Sequence, residues 1–225
     1  SAQGRSDPQQ GCGIIRTLMR HKRNLVTAVG LVLAAVPASA ADRAFMITDF
    51  DRIQVEGPYI VEVTNARGTT ARGSGPANGL DSVSVTVVGK SLIIRPKRTG
   101  WAERGKDSYQ AVTFRITTPH LRQASLGGSG RLAVRGMKNL KIDLVLSGSG
   151  ALSVSNMIAD RLGLTVSGSG QATLQGNAAN VVANVSGSGG IDAAALQAMD
   201  VVVTAQSSGT SSFAVKRSAK ITSTG

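Results

Sequence analysis

Ser147-Gly148-Ser149-Gly150 recurs as Ser167-Gly168-Ser169-Gly170 and again as Ser186-Gly187-Ser188-Gly189. Gly128-Ser129-Gly130 precedes these copies, Ser207-Ser208-Gly209 follows them, and Ser223-Thr224-Gly225 ends the chain. The last glycines, from Gly130 to Gly225, step by 20, 20, 19, 20 and 16 residues. Spacing this regular is the signature of a repeat architecture, in which each copy is one structural unit.

Around each Gly-Ser-Gly the apolar residues alternate, the two-residue period of a strand. Before the turns, Ile142, Leu162, Val181 and Val201 hold equivalent places, as do Leu144, Leu164, Ala183 and Val203, and then Leu146, Val166, Val185 and Ala205. After the turns, Leu132, Leu152, Ala172 and Ile191 repeat, followed by Val134, Val154, Leu174 and Ala193. Their neighbours are small or polar, among them Asp143, Ser153, Thr165, Thr173, Asn184 and Thr204.

One coil of about 20 residues cannot enclose a core. Copies stacked about 4.8 Å apart share backbone hydrogen bonds and pile their aliphatic side chains into columns. Glycine at the turn allows positive φ, and serine can bond neighbouring backbone. The pattern therefore predicts an all-β fold, a parallel β-helix (β-solenoid) with coils of about 20 residues. A twisted sandwich of short strands is the competing fold, but its turns would not hold one composition at constant spacing.

From Phe45 to Leu126 the pattern is looser. Ile53 and Val55 precede Gly57; Tyr59, Val61 and Val63 alternate, with Ile60 breaking the pattern between them. Val83, Val85 and Val87 lead through Gly89-Lys90 into Leu92-Ile93-Ile94, and Val112, Phe114 and Ile116 form a strand that Pro119 ends. Gly57, Gly89 and Gly130 lie 32 and 41 residues apart, which predicts projecting loops over 65–78 and 96–110. Residues 41–125 read as irregular opening coils and an N-terminal cap, and residues 126–225 as the regular coils.

Residues 19–40 read as a signal peptide. Arg20, Lys22 and Arg23 precede the uncharged apolar run from Leu25 to Val36, Pro37 breaks it, and Ala38-Ser39-Ala40 places small residues at Ala38 and Ala40 for cleavage after Ala40. A span needs about 20 apolar residues, so no transmembrane segment is expected once the signal is removed. Residues 1–18 read as an upstream non-domain segment. The chain's one cysteine, Cys12, falls within it, so the exported part rests on packing rather than disulfides. The expected location is the periplasm or the cell surface.

The export signal, the opening Asp49-Phe50-Asp51-Arg52-Ile53-Gln54-Val55-Glu56-Gly57-Pro58-Tyr59 and the Ser-Gly-Ser-Gly series together resemble the head GIN domain family of bacterial envelope proteins, also called an auto-transporter adhesin head domain. The similarity runs from about Phe45 to Gly225. The resemblance implies a solenoid and an envelope location, and, through the family's name, adhesion. Nothing in the chain supplies the membrane-barrel translocator of an autotransporter, which needs many strands of about 9 to 11 residues. Because Gly225 falls within a turn copy, the last coil is expected to be covered by further chain or a partner, or to self-associate through its open end.

Composition narrows the chemistry. Aromatics are 3% of the chain, too few for a large aromatic-lined pocket. A net charge of +12, of which residues 41–225 carry +8 from 20 basic and 12 acidic residues, favours acidic partners. No nucleic-acid motif accompanies it, and nucleic acid is not expected. Beyond residue 40 the one histidine is His120, and no Gly-x-Ser-x-Gly elbow exists, so no catalytic residues are assigned and the repeated serines read as turn formers. Asp143, Asp160, Asp192 and Asp200 take different places in their coils, which does not build the paired carboxyl groups of a glycosidase. No metal and no cofactor are expected, since a lone Asp192 in Gly187-Ser188-Gly189-Gly190-Ile191-Asp192 cannot ligate calcium.

The most distinctive polar segment, from Arg95 to Lys106, sets the only tryptophan, Trp101, among five basic residues. Arg98, Trp101, Arg104 and Lys106 are the expected ligand-binding residues, for an anionic glycan or an envelope surface. In the bland alternative Trp101 folds back over the first coil and the charges face water. The sequence thus points to an exported, non-enzymatic solenoid with an adhesion or surface-binding role. A carbohydrate-active β-helix enzyme and a self-associating structural module are the alternatives.

Overall fold

A computed structural model describes residues 41–97 and 112–224. The signal-peptide residues, Ala38 and Ala40 among them, lie outside the described residues. So do Arg98, Trp101, Arg104 and Lys106.

The chain runs through β1 (Ala41–Phe45), β2 (Arg52–Glu56), β3 (Ile60–Asn65), β4 (Thr70–Gly75), the short helix α1 (Ala77–Asp81), β5 (Val83–Val88), β6 (Ser91–Pro96) and β7 (Thr113–Thr118). It continues through β8 (Gln123–Gly128), β9 (Arg131–Arg135), β10 (Lys138–Gly148), β11 (Ala151–Gly168), β12 (Gln171–Gly187), β13 (Gly190–Ser207) and β14 (Ser211–Ser223). The result is a β-solenoid of about 5 turns. Each long strand bends across two corners, so one coil contributes to three faces. Face I stacks β6, β2, β8 and the last part of β10, then the corresponding parts of β11 to β14. Face II stacks β7, β3, β9 and the opening residues of β11, β12, β13 and β14. A narrow face III is formed by Lys138-Asn139, Ile158-Ala159, Asn177-Ala178 and Gln197-Ala198.

The aliphatic columns expected from the repeat are the registers observed. Ile142 pairs with Leu162, Leu162 with Val181 and Val181 with Val201, and Leu144, Leu164, Ala183 and Val203 follow in step. Every one of these side chains is buried. At about 25 cal/mol per Å² of apolar surface, such columns are the main favourable contribution to folding.

The corner between faces I and II explains the glycines. Gly128, Gly148, Gly168 and Gly187 have φ of 98°, 109°, 108° and 103°. A Cβ on Gly150 or Gly170 would lie 2.6 Å from the carbonyl oxygen of Gly130 or Gly150 in the preceding coil. The corner backbones also bond each other, Ser149 N donating to Gly128 O at 3.0 Å and Ser169 N to Gly148 O at 3.0 Å. The hydroxyls of Ser149, Ser169 and Ser188 make no hydrogen bond among the described residues and face water. Bonding between coils falls to the main chain, so serine supplies small size and solvation there.

The N-terminal end differs from simple irregular coils. The coil formed by β6 and β7 stacks outside that of β2 and β3, so the earlier pair lies between β6–β7 and β8–β9. Antiparallel strands flank this end: β5 pairs with β6, β4 with β7, and β1 with β4. The segment 65–78, expected as a projecting loop, therefore contains β4 and the start of α1. Its inward positions are Ala71, Gly73 and Gly75, which carry almost no apolar signal. Gly73 is bare because Leu80, Phe114 and Phe45 fill the space a Cβ would need. Phe114 packs against Phe45 and, edge to face, against Tyr59, both with ring centroids at 5.9 Å.

Gly89→Ala meets no atom within 4 Å but keeps a φ of 60°, and should cost about 1–2 kcal/mol. Gly170→Ala meets backbone and Leu146, and should cost about 1–3 kcal/mol or more. Gly168→Ala combines both penalties and should be the most destabilised of the three in urea unfolding. Equal losses for Gly89→Ala and Gly168→Ala would mean that coil approach is not the constraint.

Between β13 and β14, Arg217 Nε donates to Asp200 Oδ1 at 2.9 Å, and Nη2 contacts the second carboxylate oxygen. That hydrogen bond holds the Asp200 carboxyl below its ordinary 3.8, against a smaller opposing effect of desolvation. A lowered folded-state value stabilises the native form above 3.8 and ceases to do so as pH falls through the lower folded value. Amide protection in β14 should therefore drop on acidification below that point, and Asp200→Asn should remove this part of the pH response.

Candidate functional site

The corner between faces II and III is built differently from the Gly-Ser-Gly corner. It also turns through residues at positive φ, namely Gly136 (81°), Asn156 (54°) and Gly176 (138°). Asn156 is the one non-glycine residue with positive φ among those described, a conformation Asn tolerates better than most residues. A Cβ on Gly176 would lie 2.2 Å from Met157 O. The register shifts between Val154 and Met157, so the chain bulges at Asn156. With two of the three corner residues lacking side chains, the outer surface is hollowed along the solenoid axis.

The hollow is an open groove of about 950 Å³. It runs from Pro119 past Asn65–Arg67, Gly136, Lys138 and Asn156–Ile158 to Gly176-Asn177. These belong to five successive coils, so its length is roughly 19 Å at the strand spacing. The Asn65 amide donates to Gly136 O at 2.8 Å and closes one coil against the next. Asn156 and Asn177 are exposed and make no side-chain hydrogen bond among the described residues. Arg67 and Lys138 are exposed, and neither has a carboxylate partner among the described residues. The groove therefore offers amides that can donate and accept, and two free cations, along one extended track.

Groups suited to bond-breaking chemistry do not converge there. Among the described residues no three of His, Cys, Asp and Glu come together in an arrangement able to hold a metal ion. Asp143 is flanked on adjoining coils by Gln123 and Gly163, Asp192 by Thr173 and Ser212, and Asp200 by Asn180 and Ser218. Stacking thus sets no second carboxylate beside any of these three. His120 is exposed after Pro119.

The segment carrying Arg98, Trp101, Arg104 and Lys106 connects β6 on face I to β7 on face II. In the adjoining coil Gly57-Pro58-Tyr59 makes the same connection between β2 and β3. The Gly57-Pro58-Tyr59 connection belongs to the Gly-Ser-Gly corner, and the groove lies at the other. Sequence reasoning missed the groove, although Gly136, Asn156 and Gly176 repeat at the same 20-residue step as the turns.

Comparisons with known proteins agree with this architecture. A search of curated proteins gives no match. A crystal structure described as a putative adhesin from Bacteroides fragilis is similar, with a TM-score of 0.65 at 19% identity, over 82% of this chain and 95% of that one. One described as a putative lipid binding protein from Parabacteroides distasonis has a TM-score of 0.60 at 18% identity, over 84% of this chain and 96% of that one. A putative adhesin from the same organism has a TM-score of 0.54 at 16% identity, over 83% of this chain and 98% of that one. At these identities the likeness is one of fold. The family model "Putative auto-transporter adhesin, head GIN domain" matches residues 49–225, most of the chain, and the protein belongs to that family.

Proposed function

We propose that the protein is an exported, non-enzymatic, adhesin-like solenoid of the bacterial envelope that holds extended glycan chains along its flank. One observation carries this reading: the groove crosses five coils, is open along its length, and sets amides and cations beside the apolar Pro119 and Ile158, with no His, Cys, Asp or Glu in its lining. Enzyme pockets for small substrates bury most of the ligand in a concave, largely apolar site. An open track of mixed polarity instead gives many weak contacts to a long ligand, whose combined strength grows with the number of coils engaged. The family name, the basic surface and the signal-like residues 19–40 support an envelope location. The segment with Trp101 and Arg104 is a second contact region in this proposal.

A glycan and lipopolysaccharide binding screen on the full-length protein tests this directly. Asn156→Gly keeps a residue that accepts positive φ, so the fold should persist while the groove loses an amide. Combined with Lys138→Ala, it should weaken glycan binding by roughly tenfold, the size expected for losing two polar contacts. Trp101→Ala with Arg104→Ala measures the contribution of that second segment. Binding insensitive to both pairs would remove these sites from the proposal. Absence of binding to any glycan or envelope preparation would overturn the adhesin-like function itself.

A further inference from the structure

We propose that the N-terminal half of face II, where four outward arginines adjoin the groove, is a docking surface for an acidic polysaccharide chain. The proposal rests on the adhesin-like reading above and names the chemistry of its ligand.

The strand registers assemble this surface from residues far apart in sequence. Arg72 on β4 lies directly opposite Arg115 on β7, and Arg115 lies beside Glu62 on β3. Glu62 is followed by Ala133 on β9, with Arg131 and Arg135 two positions to either side. The inward neighbours on these strands are buried, so all four arginines point outward, and all are exposed. At the ordinary spacings of strands and residues, the four occupy roughly 14 by 13 Å.

The charges on this surface are not balanced from within. Arg115 bonds Glu62 at 3.3 Å, and both side chains are more than half exposed. Arg72, Arg131 and Arg135 have no carboxylate partner among the described residues, and neither do Arg67 and Lys138 at the groove. Asp42, the next outward acid, is one strand farther out on β1, opposite Ser74. Elsewhere the fold pairs some of its cations, Arg43 with Asp81, Arg122 with Asp51, Lys141 with Asp143 and Arg217 with Asp200. It leaves others such as Arg95 and Arg161 without a carboxylate, but only here, among the described residues, do four arginines gather on one sheet surface. Like charges directly opposite each other across a strand pair destabilise a sheet, so the Arg72–Arg115 pairing gives nothing to folding. Their backbones are direct cross-strand partners, about 5 Å apart, closer than the Debye length of about 8 Å at physiological salt.

The surroundings select the ligand class. A guanidinium fork matches carboxylate, sulfate or phosphate oxygens two at a time. Apart from Ile60, the remaining outward residues on these four strands are Thr, Ser and Ala, with no aromatic side chain. Bases therefore find no stacking platform, and a bilayer finds no apolar wedge. Arg135 adjoins Gly136 and Thr64 adjoins Asn65, so the cationic face runs into the groove without interruption. A polymer bearing both acidic groups and hydroxyls complements both parts.

The test measures binding of the full-length protein to polygalacturonate and heparin, with neutral dextran and phosphatidylglycerol vesicles as comparison probes. The double variant Arg72→Ser, Arg135→Ser is set against Lys141→Ser, Arg161→Ser, which removes equal charge on another side of the solenoid. Both acidic polymers should bind in a salt-sensitive manner. At 0.15 M salt the first variant should lose about tenfold in affinity and the second less than about twofold. Thermal unfolding of the first variant should match or exceed wild type, since a like-charge pairing is removed. Equal losses in the two variants, dextran binding as tight as that of the acidic polymers, or binding to vesicles alone would overturn the proposal. If acidic polymers fail while the protein still binds neutral glycans or coats envelope preparations, this inference falls and the adhesin-like function stands. Failure with every glycan and envelope surface removes both.

Discussion

The architecture depends on one close approach, that of each Gly-Ser-Gly corner to the next. Where Gly150, Gly170 and Gly189 lack a Cβ, the carbonyl oxygen of the preceding coil sits within 2.6 to 2.7 Å of the position that atom would take. Any side chain there would force neighbouring coils apart and stretch the hydrogen bonds on both faces. With glycine in place, the ladder passes through the corner, as the bond from Gln171 N to Gly150 O at 3.1 Å shows. Glycine loses more conformational entropy than other residues on folding. That loss is offset by backbone bonds along two faces and by aliphatic columns that remain in register for as long as the corners stack.

The regular coils were legible because their registers and their repeat are the same fact. If Gly148 stacks on Gly168, then Leu146 must meet Val166 and Leu144 must meet Leu164, as they do. The first coils break that equivalence. β2 lies between β6 and β8, neither its neighbour in sequence, and no local pattern announces such an insertion. β4 was hidden for another reason. Its inward residues are Ala71, Gly73 and Gly75, and at Gly73 the rings of Phe45 on β1 and Phe114 on β7, with Leu80, fill the space a side chain would occupy. Hydrophobic periodicity reports what a residue contributes to a core and is blind to a strand that makes room for others.

The surface features were less legible still. The groove arises from what is missing at Gly136 and Gly176 and from a bulge at Asn156, so no charged or aromatic cluster marks it in the sequence. The arginine surface brings together positions 72, 115, 131 and 135 through one antiparallel pairing and two parallel ones, none between strands adjacent in sequence. Basic residues scattered along a chain carry no such information until the registers are known. The segment around Trp101, by contrast, is conspicuous in sequence because its residues are contiguous.

A solenoid separates stability from recognition more cleanly than most folds. Inward positions must keep size and register, since each column continues through every coil; outward positions alternate with them and touch mainly water and one another. The outward surface can therefore accumulate charge without disturbing the core, limited only by repulsion between neighbours. On face I two outward columns at the regular coils are small and neutral, Thr165, Asn184 and Thr204 in one and Ser147, Ser167 and Ser186 in the other. On face II the N-terminal coils instead carry arginines with one acidic partner among them. The same backbone supports both surfaces, so the fold does not require the second. An unpaired cationic field on a scaffold that could equally carry threonine is more economically explained by an acidic ligand than by folding.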